Sequence, residues 1–371
     1  MSPQAWSWIG LLIYVAAVAY ITYQAAQATR TSEDFYVGGR SLGIFVVAMT
    51  YAASSVSGST FVGIPGVAYR FGYGVYHLYG SSTVGMVLGW WFVARMYREA
   101  AERTNALTLP DIMAKRFNSN FVRLLGALVI IVGTFFVMVA QYKAVGVIFS
   151  ELFGMSFNTA VILFAIIVAV YLAVGGFLAV AWTDTLQGCI MIVGMLLIVF
   201  IGLSQVGGLG GLNAKVGEAK PEMLQVFGWL SGYALIGGSL LLIVFNMAVP
   251  YVSVRFITYR RGPGAELKAG ILSTIFNMIF SLAIIVGMLA FILLPGLKEF
   301  DKAMPRLILH LLHPVVAAIL LAATVSAIMS TVDSGLIMVG QSFARDIYQE
   351  LIAGEEEVSD ARLLVLSRVI V

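Results

Sequence analysis

Hydroxyl side chains are concentrated in two segments of an otherwise apolar sequence, and they are its best candidates for binding chemistry. In the first segment, five of the seven residues from 54 to 60 are serine or threonine, and Gly63, Pro65 and Gly66 follow them. Glycine and proline weaken a helix, and short hydroxyl side chains can satisfy the backbone groups that a break frees. The segment therefore predicts a broken helix beside a binding cavity. Close helix packing through small residues is the alternative.

The second hydroxyl-rich segment runs from Ser326 to Ser334. Ser326, Ser330 and Ser334 are spaced four residues apart and share one helix face, which Asp333 joins. A carboxylate at membrane depth is costly and usually has a cation or a basic partner. Oxygen ligands suit a hard cation, and sodium fits better than zinc because the segment contains neither histidine nor cysteine. A serine-rich packing face, with Asp333 near its end, is the alternative.

Glycine, asparagine and proline also interrupt a third apolar segment, between residues 227 and 257. It carries Gly232, Gly237, Gly238, Asn246, Pro250 and Arg255. It lies five predicted spans after the first hydroxyl-rich segment, and interrupted helices in corresponding halves point to a transporter site built from inverted repeats. Asp184 opens another apolar segment, and its chemistry alone favours a helix cap.

The composition explains why these polar residues stand out. Of 371 residues, 60% are hydrophobic and 11% are charged, whereas a soluble domain has about 25% charged residues. This composition excludes a disordered chain and an ordinary soluble enzyme, so most of the chain must face lipid. The single cysteine, Cys189, excludes an internal disulfide. The small net charge of +3, without basic clusters beside aromatic residues, argues against a nucleic-acid partner.

Apolar segments of spanning length predict nine membrane helices and the start of a tenth. The predicted spans are 6–27, 43–68, 74–97, 122–153, 158–175, 184–206, 227–257, 268–295 and 314–345. The tenth begins near Arg362, and we expect the C-terminal part of the second half to be missing. Most lysine and arginine residues fall on one side of the membrane when the N-terminus is outside, and this predicts that orientation.

These motifs together resemble those of the sodium:solute symporter family, and they cover essentially the whole chain in the family's order. The matching segments are Asp34–Ser41, Gly63–Gly66, Asn105–Asp111, Gly175–Gln187, Ala327–Thr331 and Asp346–Tyr348. Within the family, residues 57–69 and 254–259 are most similar to the sodium/pantothenate branch, with the proline symporters next.

The resemblance implies an all-α polytopic membrane protein with a broken-helix, five-plus-five inverted-repeat transporter fold. Residues 1–371 would form one transmembrane domain, made of a peripheral helix (1–27), a first repeat (43–206) and an incomplete second repeat (227–371). Such a protein would lie in the lipid bilayer of the plasma membrane and cross it several times. The sequence leaves the oligomeric state open.

The resemblance also implies a sodium site made of carbonyl and hydroxyl oxygens from two helices. The matching positions are the carbonyls of Ala53, Val56 and Ala327 and the hydroxyls of Ser330 and Thr331. Some family members bind a second sodium ion, for which the matching positions are Asp184, Ser330, Asp333 and Ser334. Asp333 stands where the family has a hydroxyl, and its role is therefore open.

The expected solute pocket looks neither proline-like nor sugar-like. Its predicted lining is Ser55, Ser57, Thr60, Gln141, Phe245 and Asn246. Proline symporters carry an acidic residue where Ser55 stands, and sugar symporters carry a tryptophan where Asn246 stands. Lys143 lies within a predicted span, where it could meet a substrate carboxylate, pair with an acidic residue or extend towards the membrane surface.

The resemblance implies a sodium-coupled symporter that imports a small organic solute, with a carboxylate such as pantothenate favoured. Proline or a monocarboxylate is the alternative solute within the family. A non-transporting membrane sensor and a membrane-embedded enzyme are alternatives of another class. His77, His310 and His313 are scattered along the chain, and this disfavours an enzyme. The sequence also lacks a Walker loop, so an ATP-driven pump is not expected.

Overall fold

A computed structural model describes residues 3–227, 231–353 and 358–371, and these residues are almost entirely helical. The α-helices are α1 (Pro3–Ala28), α2 (Ser32–Val37), α3 (Ile44–Ser55), α4 (Ile64–Phe71), α5 (Val75–Leu88), α6 (Ala94–Thr104), α7 (Leu109–Phe117), α8 (Asn120–Phe153), α9 (Phe157–Val206), α10 (Gly208–Ala219), α11 (Gly232–Ala248), α12 (Pro250–Ser253), α13 (Ala265–Phe280), α14 (Ala283–Leu293), α15 (Ala303–Leu311), α16 (Pro314–Gln341) and α17 (Asp360–Ile370). Tighter or wider helical turns lie at Gly38–Arg40, Ser59–Gly63, Gly72–Gly74, Gly89–Val93, Pro221–Leu224, Val254–Ile257, Phe300–Lys302 and Ser342–Ala353.

Long apolar helices dominate the described part of the chain. By length and composition, five of them can cross a membrane, and the pair formed by Ile44–Ser55 and Ser59–Thr104 is a sixth candidate, bent by 58°. This bent pair contains two predicted spans, 43–68 and 74–97. The predicted all-α polytopic architecture is therefore confirmed, although single helices or helix pairs join spans that the sequence analysis separated.

The longest helix, α9, contains a break at Gly176. A straight helix of 50 residues would extend about 75 Å, whereas the apolar core of a bilayer is about 30 Å thick. Gly176 has φ 60° and ψ −159°, a conformation open almost only to glycine. The break separates the predicted spans 158–175 and 184–206, and the second segment begins earlier than expected.

The helix α16 lies at the centre of the packing. It contacts α9, α1, α8 and α3, and α3 in turn packs between α9 and α13. The face of α16 around Ser330 is completely buried, and Tyr14 of α1 reaches this core to bond Gln187 of α9 at 2.6 Å. The two hydroxyl-rich segments, on α3 and α16, are therefore held against each other by apolar packing on both sides.

One end of the helix bundle contains Arg40, Arg123, Arg260 and Arg345, and two sets of contacts join its segments; we call it the arginine-rich end. The segment before α3 pairs with the segment after α12, since the Leu42 amide donates to the Thr258 carbonyl (3.1 Å) and the Arg260 amide donates to the Leu42 carbonyl (2.8 Å). Nearby, buried Asp111 pairs with Arg123 at 3.0 Å and contacts Arg345 at 3.5 Å. These contacts join both halves of the chain at this end.

Replacing Gly176 with alanine is expected to lower the free energy of unfolding by about 2–4 kcal/mol, because the backbone strain and a steric clash add together. A Cβ atom at this position would lie 2.5 Å from the Phe35 ring. The measurement is denaturant unfolding of the purified protein in detergent. The matched control is Gly133→Ala on α8, where a Cβ atom meets open space and unfolding should change little. Equal stability of the two variants would contradict the assigned break.

Candidate ion and solute site

The first hydroxyl-rich segment is a helix break, as predicted. The helix α3 ends at Ser55, and Val56 is extended, with φ −89° and ψ 112°. Helical structure resumes at the turn Ser59–Gly63 that leads into α4. The amide of Gly58, inside the break, donates to the Gln141 side-chain oxygen of α8 at 2.9 Å. The break therefore frees backbone carbonyls in the interior of the helix bundle and anchors one freed amide.

The freed carbonyls of α3 meet the hydroxyl groups of α16. The Ser330 hydroxyl donates to the Ala53 carbonyl at 2.9 Å, and the Thr331 hydroxyl lies 3.4 Å from the Val56 carbonyl. Both hydroxyls also lie near the carbonyl of Ala327, at 3.2 and 3.5 Å. All five residues predicted for the sodium site are thus brought together, and all are buried.

One further carbonyl, that of Ser54, belongs to this oxygen cluster and was missed by the sequence analysis. It lies 3.2 Å from the Thr331 hydroxyl. Hydroxyl and carbonyl oxygens without imidazole or thiolate groups suit a hard cation, so the donor set fits sodium. Among the described residues, no group of three or more histidine, cysteine, aspartate or glutamate side chains could hold another metal.

The residues expected to hold a second sodium ion have protein groups as partners in the structure, with the exception of Asp333. The Asp184 carboxylate and the Ser334 hydroxyl both contact Arg255, at 3.1 and 2.6 Å. The Ser330 hydroxyl points instead to the Ala53 carbonyl. Asp184 and Ser334 therefore share a partner in Arg255, which lies in the turn that follows α12.

Asp333 is the fourth residue of the predicted second site. Its side chain is completely buried, and its two carboxylate oxygens have no hydrogen-bond partner among the residues that the structure describes. It shares a helix face with Ser330 but does not join the contacts of Asp184 and Ser334. The second sodium ion therefore stays a prediction.

A cavity of about 400 Å³ lies beside the helix break. Its lining includes all six residues predicted for the solute pocket: Ser55, Ser57, Thr60, Gln141, Phe245 and Asn246. The lining side chains are hydroxyl, amide, aromatic and aliphatic groups, and none of them carries a charge. Such a cavity can hold a small polar molecule through hydrogen bonds and apolar contact.

The cavity lining also contains residues that the sequence analysis missed, among them Tyr79 and Asn277. Tyr79 of α5 donates to the Asn277 side chain of α13 at 3.0 Å, and the same side chain donates to Thr83 at 2.9 Å. Both helices carry several other polar residues, and the sequence contained no signal that would pair these three. Lys143 does not line the cavity; it pairs with Asp301 at 3.3 Å, which is one of the alternatives considered for it.

Comparison with known proteins agrees with the resemblance. The model of the sodium:solute symporter family matches residues 35–371. A sodium/pantothenate symporter of Haemophilus influenzae is 31% identical over 92% of the chain and 73% of its own length. A sodium/proline symporter of Staphylococcus saprophyticus is 30% identical over 95% of the chain and 70% of its own length.

Two solved structures share the fold. A Na⁺-coupled sialic acid symporter in a substrate-bound, outward-open state superposes with a TM-score of 0.85 at 20% identity, over 98% of the chain and 78% of that structure. A nucleobase-cation-symport-1 family transporter in a closed conformation superposes with a TM-score of 0.61 at 12% identity, over 91% of the chain and 72% of that structure. At these identities the two likenesses establish the fold only.

The sequence-level matches confirm three expectations. The family consists of sodium-coupled transporters and not of enzymes. Sodium is the co-transported ion, and a small organic solute accompanies it. The apolar helices agree with a multi-pass protein of the plasma membrane. The chain belongs to the sodium:solute symporter family.

Proposed function

We propose that this chain imports a small organic carboxylate, with pantothenate as the first candidate, by coupling its entry to that of sodium. The proposal rests on one observation: the broken segment at the end of α3 contributes both to the oxygen cluster and to the lining of the cavity. The broken segment presents the carbonyls of Ala53 and Val56 to α16. The same segment presents Ser55 and Ser57 to the cavity.

The shared segment supplies a physical route for coupling. In the proposal, sodium is bound by Ala53, Val56, Ala327, Ser330 and Thr331. Binding fixes the extended backbone around Val56, and this orders the neighbouring hydroxyls that contact the solute. Since coupling free energy is reciprocal, bound solute raises the affinity for sodium by the same factor.

The chemistry of the cavity favours a carboxylate that has no ammonium group. Pantothenate offers hydroxyl, amide and carboxylate groups, and the hydroxyl and amide side chains of the lining can bond all three. The ammonium group of proline would find no acidic side chain among the lining residues. Pantothenate is also the substrate named for one relative, at 31% identity. Proline and short monocarboxylates remain the second candidates, because a proline symporter is nearly as similar.

We also propose that the arginine-rich end faces the cytoplasm, with the N-terminus outside. The excess of basic residues at that end supports this orientation. The contacts of Leu42 with Thr258 and Arg260, and those of Asp111, would then hold the cytoplasmic side closed. The solute would enter from the opposite side and leave after these contacts separate.

Purified full-length chain in lipid vesicles should accumulate radiolabelled pantothenate when an inward sodium gradient is imposed. The gradient supplies the free energy, at about 2.3 kcal/mol per charge per 100 mV in addition to the concentration term. The measurement compares sodium with choline outside, and proline and lactate serve as rival solutes. Uptake that is equally fast without sodium, at clamped pH, would refute the coupling. Sodium and solute binding without flux would favour a sensor.

Ser330→Ala and Thr331→Ala should each raise the half-saturating sodium concentration about tenfold, since a lost oxygen ligand is worth about 1–2 kcal/mol. The half-saturating solute concentration at saturating sodium should change much less. The matched control is Thr324→Ala on the same helix, whose hydroxyl donates to the Leu320 carbonyl. A sodium requirement that is unchanged in both variants, or raised equally in the control, would count against the site.

Ser55→Asp should reduce pantothenate uptake at least about tenfold, because it places a negative charge in a neutral cavity that is proposed to bind a carboxylate. The matched control is Ser55→Asn, which is similar in size and carries no charge. Initial rates of uptake over a range of pantothenate concentrations give the result. Equal affinity of the two variants for pantothenate would show that the solute carboxylate lies elsewhere.

A further inference from the structure

A groove runs between α13 and α5 on the outer surface of the helix bundle. The helix α13 packs on α5 and on the turn Gly89–Val93 that follows it. The groove has a volume of about 290 Å³, and aliphatic and indole side chains dominate its lining. Trp90 at its base is 1% exposed, whereas Trp91 and Ile271 at its sides are 63% and 52% exposed. The groove is therefore apolar and open on a side that faces lipid.

A glycine lets α13 approach the base of the groove closely. A Cβ atom at buried Gly270 would lie 2.9 Å from the Cβ atom of Trp90. Among the described residues that line the groove, Thr274 carries the only hydroxyl, and this hydroxyl donates to the Gly270 carbonyl at 2.8 Å. Because this polar group is already paired within its own helix, the groove suits a hydrocarbon chain better than a polar solute.

A second cavity, of about 440 Å³, adjoins the groove at the arginine-rich end of the bundle. Its charged lining residues are Arg95, Arg98, Glu99, Arg261 and Glu266. Arg95 follows Trp91 of the groove by about one helical turn, and Glu266 directly precedes Leu267 of the groove. An apolar groove and a charged cavity therefore lie end to end along the same helices, in the order that the acyl chain and the headgroup of a phospholipid require.

Positive and negative side chains balance in the charged cavity. Arg95 pairs with Glu99 at 2.9 Å, and Arg261 pairs with Glu102 beside the cavity. The side chains of the two arginines are 77% and 59% exposed. Exposed ion pairs are weak, so an incoming headgroup can exchange with them. Three arginines in all face three glutamates: Arg95, Arg98 and Arg261 with Glu99, Glu102 and Glu266. A headgroup that carries one charge of each sign keeps this balance.

We propose that the groove and the charged cavity together bind one phosphatidylethanolamine molecule of the surrounding membrane. One acyl chain lies against Trp91 and Ile271, and the phosphate pairs with Arg95. The Nε atom of Arg95 donates to Glu99, and its guanidinium can bind a phosphate through two nitrogens at once. The ammonium group of the lipid, with three N–H donors, lies beside Glu99 and Glu266. Basic pockets between membrane helices bind lipid headgroups in this way.

The first test is native mass spectrometry of the purified full chain in detergent, with phosphatidylethanolamine, phosphatidylglycerol or phosphatidylcholine added. The expected result is one tightly bound phosphatidylethanolamine per chain and at least about tenfold weaker binding of the other two lipids. Phosphatidylglycerol has no ammonium group, and the methylated ammonium of phosphatidylcholine has no N–H donor. Equal or tighter binding of either lipid would overturn the inference. Inorganic phosphate that raises the Tm as much as phosphatidylethanolamine does would also overturn it, because the groove would then contribute nothing.

The second test changes the two parts of the site separately. Arg95→Gln should weaken the binding of phosphatidylethanolamine about tenfold, because it removes the charged partner of the phosphate. The matched control is Arg103→Gln, since Arg103 also pairs with Glu99 but does not line the charged cavity. Ile271→Trp should weaken binding by a similar factor, because the larger side chain fills the groove. Its matched control is Ile162→Trp on α9, where the isoleucine is 60% exposed.

Wild-type affinity for phosphatidylethanolamine in either Arg95→Gln or Ile271→Trp would overturn the inference, and so would equal losses in the variants and their controls. All four substitutions lie at exposed positions, and an unchanged Tm without added lipid shows that each variant is folded. These measurements involve neither sodium nor pantothenate. A failure of the proposed function therefore leaves the lipid site standing, and a failure of the lipid site leaves the proposed function standing.

Discussion

The centre of this molecule depends on how the backbone groups freed at a helix break form hydrogen bonds inside a bilayer. Lipid offers no hydrogen bonds, so carbonyl and amide groups freed at a break must find partners within the protein. Around Val56 the carbonyls meet two hydroxyls of α16, and the amide of Gly58 meets the side chain of Gln141. The groups that satisfy the break are the same groups that form the oxygen cluster and the cavity wall. One set of atoms therefore both pairs with the backbone groups at the break and forms the candidate binding sites.

Local patterns revealed this part of the molecule from sequence because polar residues are conspicuous in an apolar chain. Hydroxyls followed by Gly63, Pro65 and Gly66 marked the break, and the spacing of Ser330 with its neighbours marked the facing helix. The family motifs then supplied the individual oxygens. The six predicted cavity residues also lie together, although they come from three separate parts of the chain.

The sequence did not reveal contacts between residues that are far apart in the chain and belong to no distinctive local pattern. Asp184 has the features of a helix cap and Arg255 those of a basic residue at a helix end, but the two are 71 positions apart and meet in the core. Tyr79 and Asn277 meet across 198 positions in the same way. The predicted spans 158–175 and 184–206 left Gly176 between two helices, because hydropathy shows which segments are apolar and does not show where a continuous helix bends.

The pairing of Leu42 with Thr258 and Arg260 uses main-chain atoms only. Any motion that separates these segments must break the same two hydrogen bonds, whatever the side chains are. Water can replace these bonds once it reaches that end of the molecule. Part of the energy needed to open this end is therefore set by the main chain and does not depend on the side chains. Proline at position 42 or 260 would remove one of these bonds, because it has no amide hydrogen to donate.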